Sequence, residues 1–428
     1  MQPMTLRRSL PAVALLLVAA PLRAETLKVP SDEFASIQAG VDAAVAGDIV
    51  SVAKGVYDEN VVITTAGIKL KGSSATINGR YLGNCITVTA DDVSIESLIL
   101  ANGGGGTAGG LLATGAGITV SKLTVVSCED WGIRLDGAGT VQSCKVDACL
   151  EDGIVVDTGA QTGTTLTVIS KNTVTRCDSG IRADGGPFTV SSNTVTSCRE
   201  DGIEVSLGPA ATTGTTITKN KSNDNLETGI IVSDQSEQAT PVLFEKNSMV
   251  GNGTGCGLEG FEIDATGNTI TDSVGDGLVV DAQRCVLEKN TIKDCGGFGI
   301  RLNGADNDLT SNTVSRAGFG GIKVQSDLNG LLKNSVKDCE GDGIEIEVGA
   351  DGNVVQVNTV SGNAHDGIDN SGLNTIISHS TCKKNGGKDI AGAGDGPGTV
   401  LAGQSPFNVV SDDSDFVLFT SAGELDLQ

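Results

Sequence analysis

Aromatic and basic side chains are both scarce in this 428-residue chain. One Trp, two Tyr and nine Phe make up 3% of it, too few to fill the interior of a packed β-sandwich or a helical bundle. Twenty-nine Lys and Arg stand against 53 Asp and Glu, a net charge of −24. No basic cluster suited to a phosphate backbone is visible, which excludes nucleic acid as a partner. Long apolar runs are also missing. The longest, Ala12 to Ala20, falls short of the roughly 20 residues that span a bilayer. It follows Arg7 and Arg8 and is closed by the small residue Ala24, the pattern of a cleaved secretory signal over 1–24. Its removal takes three arginines and no acids, leaving 404 residues at −27, with no membrane insertion expected afterwards. The expected location is secreted, periplasmic or at the cell surface, and the sequence sets no oligomeric state.

What the chain has in abundance is glycine, 59 residues, and much of it is periodic. A Gly, or once Asp, followed by Ile or Leu recurs with second residues Ile133, Ile154, Ile181, Ile203, Ile230, Leu258, Leu278, Ile300, Ile322, Ile344, Ile368 and Ile390. The gaps run from 20 to 28 and are most often 22. Two-helix repeats need about 33 residues or more, so each unit is one short coil of strands and turns. After each Gly the pattern alternates in, out, in, out, as in Ile133 and Leu135 or Ile300 and Leu302. The expected fold is all-β, a single-stranded parallel β-solenoid with a thin, layered aliphatic interior. Residues 25–62 read as an N-terminal strand and helix cap, 63–390 as coils with a flexible break at Gly103 to Gly106, and 391–428 as a C-terminal cap. Within the first cap, Ile37, Val41 and Ala44 share one helical face.

A second column fixes the register. Asn172, Asn193, Asn220, Asn247, Asn268, Asn290, Asn312, Asn334 and Asn358 each precede the next repeat Gly by 8 to 10 residues. Stacked amides that bond from coil to coil explain this column as scaffold. Cys128, Cys149, Cys177, Cys198, Cys295 and Cys339 share another position. Stacked strands bring such residues to about 4.8 Å, within disulfide reach, although a buried column of free thiols suits Cys, a small well-buried hydrophobe, better. The half-coil after each repeat Gly varies in length. Extra residues at Gly159 to Leu166, Gly208 to Ile217 and Asp234 to Val242 leave at one corner and should build a wall there.

The outward positions beside that wall carry the candidate chemistry. Successive coils present Arg134 with Asp136, Val155 with Asp157, Arg182 with Asp184, and Glu204 with Ser206. Asp136, Asp157 and Asp184 form a column of like charges about 4.8 Å apart, which raises their pKa values or recruits a cation such as calcium. Asp157, Arg182 and Asp184 are the candidate catalytic residues, an acid and base pair beside a cation that grips a uronate. Trp131, Arg134 and Glu204 are candidate substrate-binding residues, Trp131 by stacking on a sugar ring. The plainer reading of the same residues is a solvated, mutually neutralising Arg and Asp lattice. A second set, Arg301, Lys323, Glu345, Glu347, Asp366 and Asp369 with His365, lies further along, and His365 reads as a turn residue more readily than as a proton shuttle.

The segments Ser36-Ile-Gln-Ala-Gly-Val-Asp-Ala-Ala, Gly47-Asp48 and Gly55-Val-Tyr-Asp-Glu-Asn-Val-Val-Ile resemble the opening of right-handed parallel β-helix proteins, including pectin methylesterases and NosD-type periplasmic proteins. The repeats resemble those of pectate-lyase-like proteins. This resemblance implies a right-handed parallel β-helix over nearly all of the mature chain. It implies no single activity, because the fold hosts lyases, hydrolases, esterases, epimerases, adhesins and non-enzymes. The esterase stretches with the catalytic Asp and Arg, the Gly-His-Gly and Arg-Ile-Lys of polygalacturonase-like hydrolases, and the Asp-Pro-His-Glu of alginate epimerases are absent from the sequence. The calcium-and-Arg pattern of pectate lyases is loose enough to remain compatible. Three functions therefore stand: a non-catalytic glycan- or surface-binding scaffold, a lyase or epimerase acting on an acidic glycan with calcium, and a NosD-like accessory protein.

Overall fold

The computed structural model describes residues 24–159, 165–209, 214–235 and 240–392, with the backbone of three short strands beyond them. The signal segment, nearly all of the C-terminal cap and the tips of the three insertions lie outside the described residues. The chain winds into a parallel β-solenoid of about 16 turns. Each full coil has three strands. Two belong to a two-limbed sheet of 32 strands, and the third, which carries the repeat Gly and Ile, belongs to a sheet of 15 strands. Among the described residues the one helix is Ile37–Ala43, capped by the Ser36 hydroxyl, which accepts from the Ala39 N–H. Its buried face is Ile37, Gly40 and Val41. The N-terminal segment is continuous with the coils: Thr26–Val29 pairs with Ile49–Val52, which pairs with the start of Lys69–Asn78. Among the glycines at 103–106, Gly104 and Gly105 make contacts. Gly104 bridges to Gly83, and Glu129 accepts from the Gly105 N–H.

The alternating pattern is realised as expected. Ile133, Leu135, Ile154, Val156, Ile300 and Leu302 are buried inside, while the residues between them face outward. The repeat glycine is required where the third strand begins. A Cβ on Gly180 would lie 2.2 Å from Val195 Cγ1 and 2.4 Å from the Gly202 carbonyl oxygen, and Gly153 is as tightly enclosed. One position of the repeat frame is corrected by the structure. Ile230 pairs with Cys256, which pairs with Leu278. The repeat phrase in that coil is therefore Gly255-Cys256 and not Gly257-Leu258. Cys256 fills the inward slot as a small hydrophobe, and Gly257 stands outside.

The Asn column is a hydrogen-bonded ladder. Each side chain from Asn172 to Asn334 accepts, through Oδ1, the backbone N–H of the residue one coil earlier, and Ser380 Oγ accepts from Asn358 N–H at the end. The residue before most of these asparagines bends the chain through the left-handed region. Lys171, Ser192, Lys219, Lys246, Lys289, Ser311 and Lys333 have φ between 55° and 59°, at roughly 1–2 kcal/mol each for a residue with a Cβ. Bonds made by the adjacent buried Asn offset that strain. Two further ladders were not anticipated. One joins Cys285, Asn307, Asn329 and Asn353. The other joins Cys198, Asn225 and Asn252 and resumes at Cys339, Asn363 and Asn385. The stacked cysteines thus occupy an Asn position. All eleven are free and buried. Contact with Cys128 and then Cys177, together with burial, pushes the Cys149 thiol up, while burial raises Cys198 to about 12.

Candidate functional site

The outer face of the Gly–Ile sheet carries three columns of side chains, set by the parallel register. Arg134, Val155, Arg182 and Glu204 are paired in sequence along one of them. Val155 is outward yet 1% exposed, and it lies outside the interior cluster. Its cover comes from the face itself, where it sits between the arginines of the coils on either side, whose aliphatic stems shield apolar surface. In the next column Asp157 pairs with Asp184, and Asp184 with Ser206. Asp152 and Asp201 occupy the third column, just before the repeat glycines, with Trp131 at its start; their carbonyls accept the N–H groups of Gly132 and Gly180.

The charges on this face are largely engaged with one another. Arg134 Nε donates to Asp136 Oδ1 at 2.7 Å, and its guanidinium lies 5.0 Å from the centre of the Trp131 ring. Arg182 reaches Asp152 at 3.0 Å and Asp184 at 3.3 Å. Asp157 accepts from the Gly159 N–H at 2.8 Å, stabilising the turn that leads into the first insertion. The Ser206 hydroxyl donates to Glu204 at 3.3 Å. Asp136, Asp157 and Asp184 thus turn to three different partners rather than to one point. Among the described residues no three of His, Cys, Asp or Glu are grouped to hold a metal ion.

Three carboxyls on this face sit above the usual carboxylate range. Burial is the leading cause for Asp152 and Asp184, with Arg182 opposing it in both. Asp157 raises Asp184 further, so the expected repulsion within the column is present but secondary to burial. Burial, then Asp184, raises Glu204. Beyond Asp136 a cavity of about 180 Å³ opens at the corner where the insertions leave, lined by Asp136, Thr114, Thr158, Thr165, two alanines and several glycines. Sequence reasoning missed Asp152, because it precedes the repeat Gly and joins the site only through the next coil. The strands before the three insertions all end at this corner, with Asp157, Leu207 and Asp234 as their last residues.

The second set is dominated by ion pairs. Arg301 pairs with Asp276, and Lys323 lies 3.4 Å from Glu345 and 2.5 Å from Glu347. Asp369 is pushed up to about 6 by burial first, then by Asp342, Asp366 and Glu345. His365 is an exposed turn residue whose N–H donates to the Gly341 carbonyl, and its side chain takes no part in the cluster's ion pairs. Sequence reasoning also overlooked two aromatics here. Phe298 and Phe319 meet edge to face with centres 5.9 Å apart, and Phe319 is 66% exposed.

A profile of the right handed beta helix region matches residues 49–211, 109–262 and 258–414 in overlapping segments. The chain belongs to this right-handed β-helix family. Its fold is the right-handed parallel β-helix that the N-terminal motifs and repeats suggested. No curated protein matches it. Solved right-handed β-helix structures similar to it include the A-module of an Azotobacter vinelandii mannuronan C-5 epimerase, at 15% identity over 86% of this chain and 93% of that one, with a TM-score of 0.38. Another is tailspike protein 3 of bacteriophage CBA120, at 12% identity over 91% and 59%, with a TM-score of 0.46. A third is an alginate lyase complexed with a trisaccharide, at 12% identity over 96% and 92%, with a TM-score of 0.34. Similarity of this degree carries no argument about activity or ligand. Among the described residues no helix is long and apolar enough to cross a membrane.

Proposed function

We propose that this β-helix is an exported, non-catalytic glycan-binding protein that presents the outer face of its Gly–Ile sheet to a polysaccharide. The observation that carries the reading is a continuous line along one coil. Trp131, Arg134, Asp136 and the corner cavity follow one another, joined by the cation–π contact and the 2.7 Å ion pair. A ring with a cation held against it, then a carboxylate, then hydroxyls and backbone amides is the mixture that binds sugars: an apolar surface with a few placed polar groups. Domain roles follow from this. In this reading residues 25–62 cap the first coil and 63–390 present the face, while nearly all of 391–428 lies outside the described residues. Titration of a polysaccharide panel against the wild type and Trp131→Ala tests the reading. An affinity loss of about tenfold or more is expected, worth roughly 1.4 kcal/mol. Unchanged affinity would remove Trp131 from the site.

A second reading, a lyase or epimerase on an acidic glycan, is favoured by one observation: the raised carboxyls of Asp184, Glu204 and Asp152 surround Arg182. In that reading Asp157 and Asp184 exchange the proton and Arg182 holds the sugar carboxylate. Release of unsaturated sugars, assayed with and without calcium and abolished in Arg182→Ala, would select it over the binding reading.

A further inference from the structure

The Trp131 platform has a structural counterpart. Trp131-Gly-Ile-Arg134-Leu and Phe298-Gly-Ile-Arg301-Leu are the same phrase with the aromatic exchanged. The two stand in the same columns, since Arg134 connects to Arg301 through the paired residues Val155, Arg182, Glu204, Ile231, Gly257 and Val279. In both phrases the guanidinium lies over the ring, at 5.0 Å for Trp131 and 5.7 Å for Phe298. Each arginine is also held by an aspartate, Asp136 or Asp276. Seven steps of about 4.8 Å place the two platforms roughly 34 Å apart on one face.

The second platform is the more open of the two. Phe319 projects from the next coil beside Phe298, and the chain around them bears no side chains at Gly296, Gly297, Gly318 and Gly320. Lys323 lies 4.9 Å from the Phe298 ring centre. Between the platforms the central column runs through Val155, Arg182, Glu204, Ile231, Gly257 and Val279, so the half nearer the second platform, Ile231, Gly257 and Val279, is an uncharged strip. A bulky or charged residue at Gly257 would interrupt it.

We infer that Phe298 and Phe319, with Arg301 and Lys323, form a second glycan-binding platform, and that one uncharged polysaccharide chain lies along the sheet and engages both platforms. This inference rests on the binding function proposed above. Aromatic rings give sugar C–H faces an apolar surface, and the flanking cations and carboxylates give the hydroxyls donors and acceptors. Both cations at this platform are already neutralised by Asp276, Glu345 and Glu347, on a chain of net charge −24. A polyuronate would meet surplus negative charge at each sugar, which disfavours it.

Calorimetry with uncharged tetrasaccharides of glucose, mannose, galactose or N-acetylglucosamine, and with the matching polymers, tests the inference; uronate tetramers form the contrast arm. A tetrasaccharide that binds should do so twice per chain in the wild type, and once in Phe319→Ala or in Trp131→Ala. The matching polymer should bind at least about a hundredfold more tightly than the tetrasaccharide, as expected for two linked contacts, and should lose most of that gain in either variant. Phe319 is exposed enough for its truncation to leave the fold intact, and Phe319→Trp should retain both sites. One tetrasaccharide per wild-type chain, unaffected by Phe319→Ala, would overturn the second platform and leave the first standing. Preference for the uronate arm would overturn the assignment of an uncharged ligand. No binding by any sugar would overturn the proposed function itself.

Discussion

Replacing Asn220 by Ala should open the scaffold at one corner. Its side chain makes four hydrogen bonds: Nδ2 donates to the Val190 carbonyl at 2.9 Å and to Asn247 Oδ1 at 3.0 Å, and Oδ1 accepts the backbone and side-chain N–H groups of Asn193, both at 3.0 Å. The residue is fully buried. Losing the three bonds whose partners keep another contact or can reach water costs roughly 1 kcal/mol each, and stranding the Asn193 amide costs roughly 1–3 kcal/mol. The total is about 4–6 kcal/mol, relieved toward the lower figure if the corner relaxes. Since solenoid stability is carried by neighbouring coils, the local readout is amide exchange at Asn193, which should accelerate by about a thousandfold. Asn220→Ser should lose less, as Ser380 already ends the natural ladder with a hydroxyl acceptor. An Asn193 exchange rate within tenfold of wild type would refute the ladder as a source of stability.

The other predictions are shorter. Gly255→Ala brings a Cβ to 2.2 Å from Ile270 Cγ2 and 2.4 Å from the Gly277 oxygen, whereas at Gly257 the nearest atom is 3.4 Å away on the Ile231 side chain. The first should destabilise by about 1–3 kcal/mol and the second by little, measured by urea unfolding; the reverse order would refute the register. Asp369 has a folded pKa of about 6, raised chiefly by burial. The folded state therefore holds that proton more tightly, and stability falls as pH rises from about 4 through 6. Asp369→Asn should match wild type near pH 4 and exceed it near pH 7 in thermal unfolding, and a constant difference would contradict this. Native thiol titration near pH 8 should find few reactive groups, since burial raises Cys85 and Cys285 to about 12 and Cys144 and Cys295 to about 11; denaturant should release all eleven.

The fold was legible because its signals are periodic. One Asn per coil and one Gly per coil are statements about a 22-residue frame, and parallel stacking converts them directly into columns. The frame slipped at Leu258 because Gly255-Cys256-Gly257-Leu258 offers two phases, and Leu fits the template better than Cys although Cys fits the slot. Two Asn ladders escaped notice because Cys, Ser and Ala interrupt them. Arg134, Asp136, Asp157, Arg182, Asp184 and Glu204 were placed on one face by alternation alone, and Trp131 only at its edge. Their partners could not be read the same way. Asp152 reaches Arg182 across coils, and the burial that raises Asp184 depends on side-chain packing that no spacing encodes. Phe298 carried a usable signal, the phrase it shares with Trp131, which a comparison of coils in pairs would have found.

Binding of an uncharged polysaccharide by the wild type, set against a variant carrying both Trp131→Ala and Phe319→Ala, tests the central claim most directly. The account predicts saturable binding by the wild type, little affected by calcium, and loss of at least about a hundredfold in the double variant with unchanged thermal stability. Equal binding by the two proteins, or saturable binding confined to polyuronates with calcium present, would contradict it.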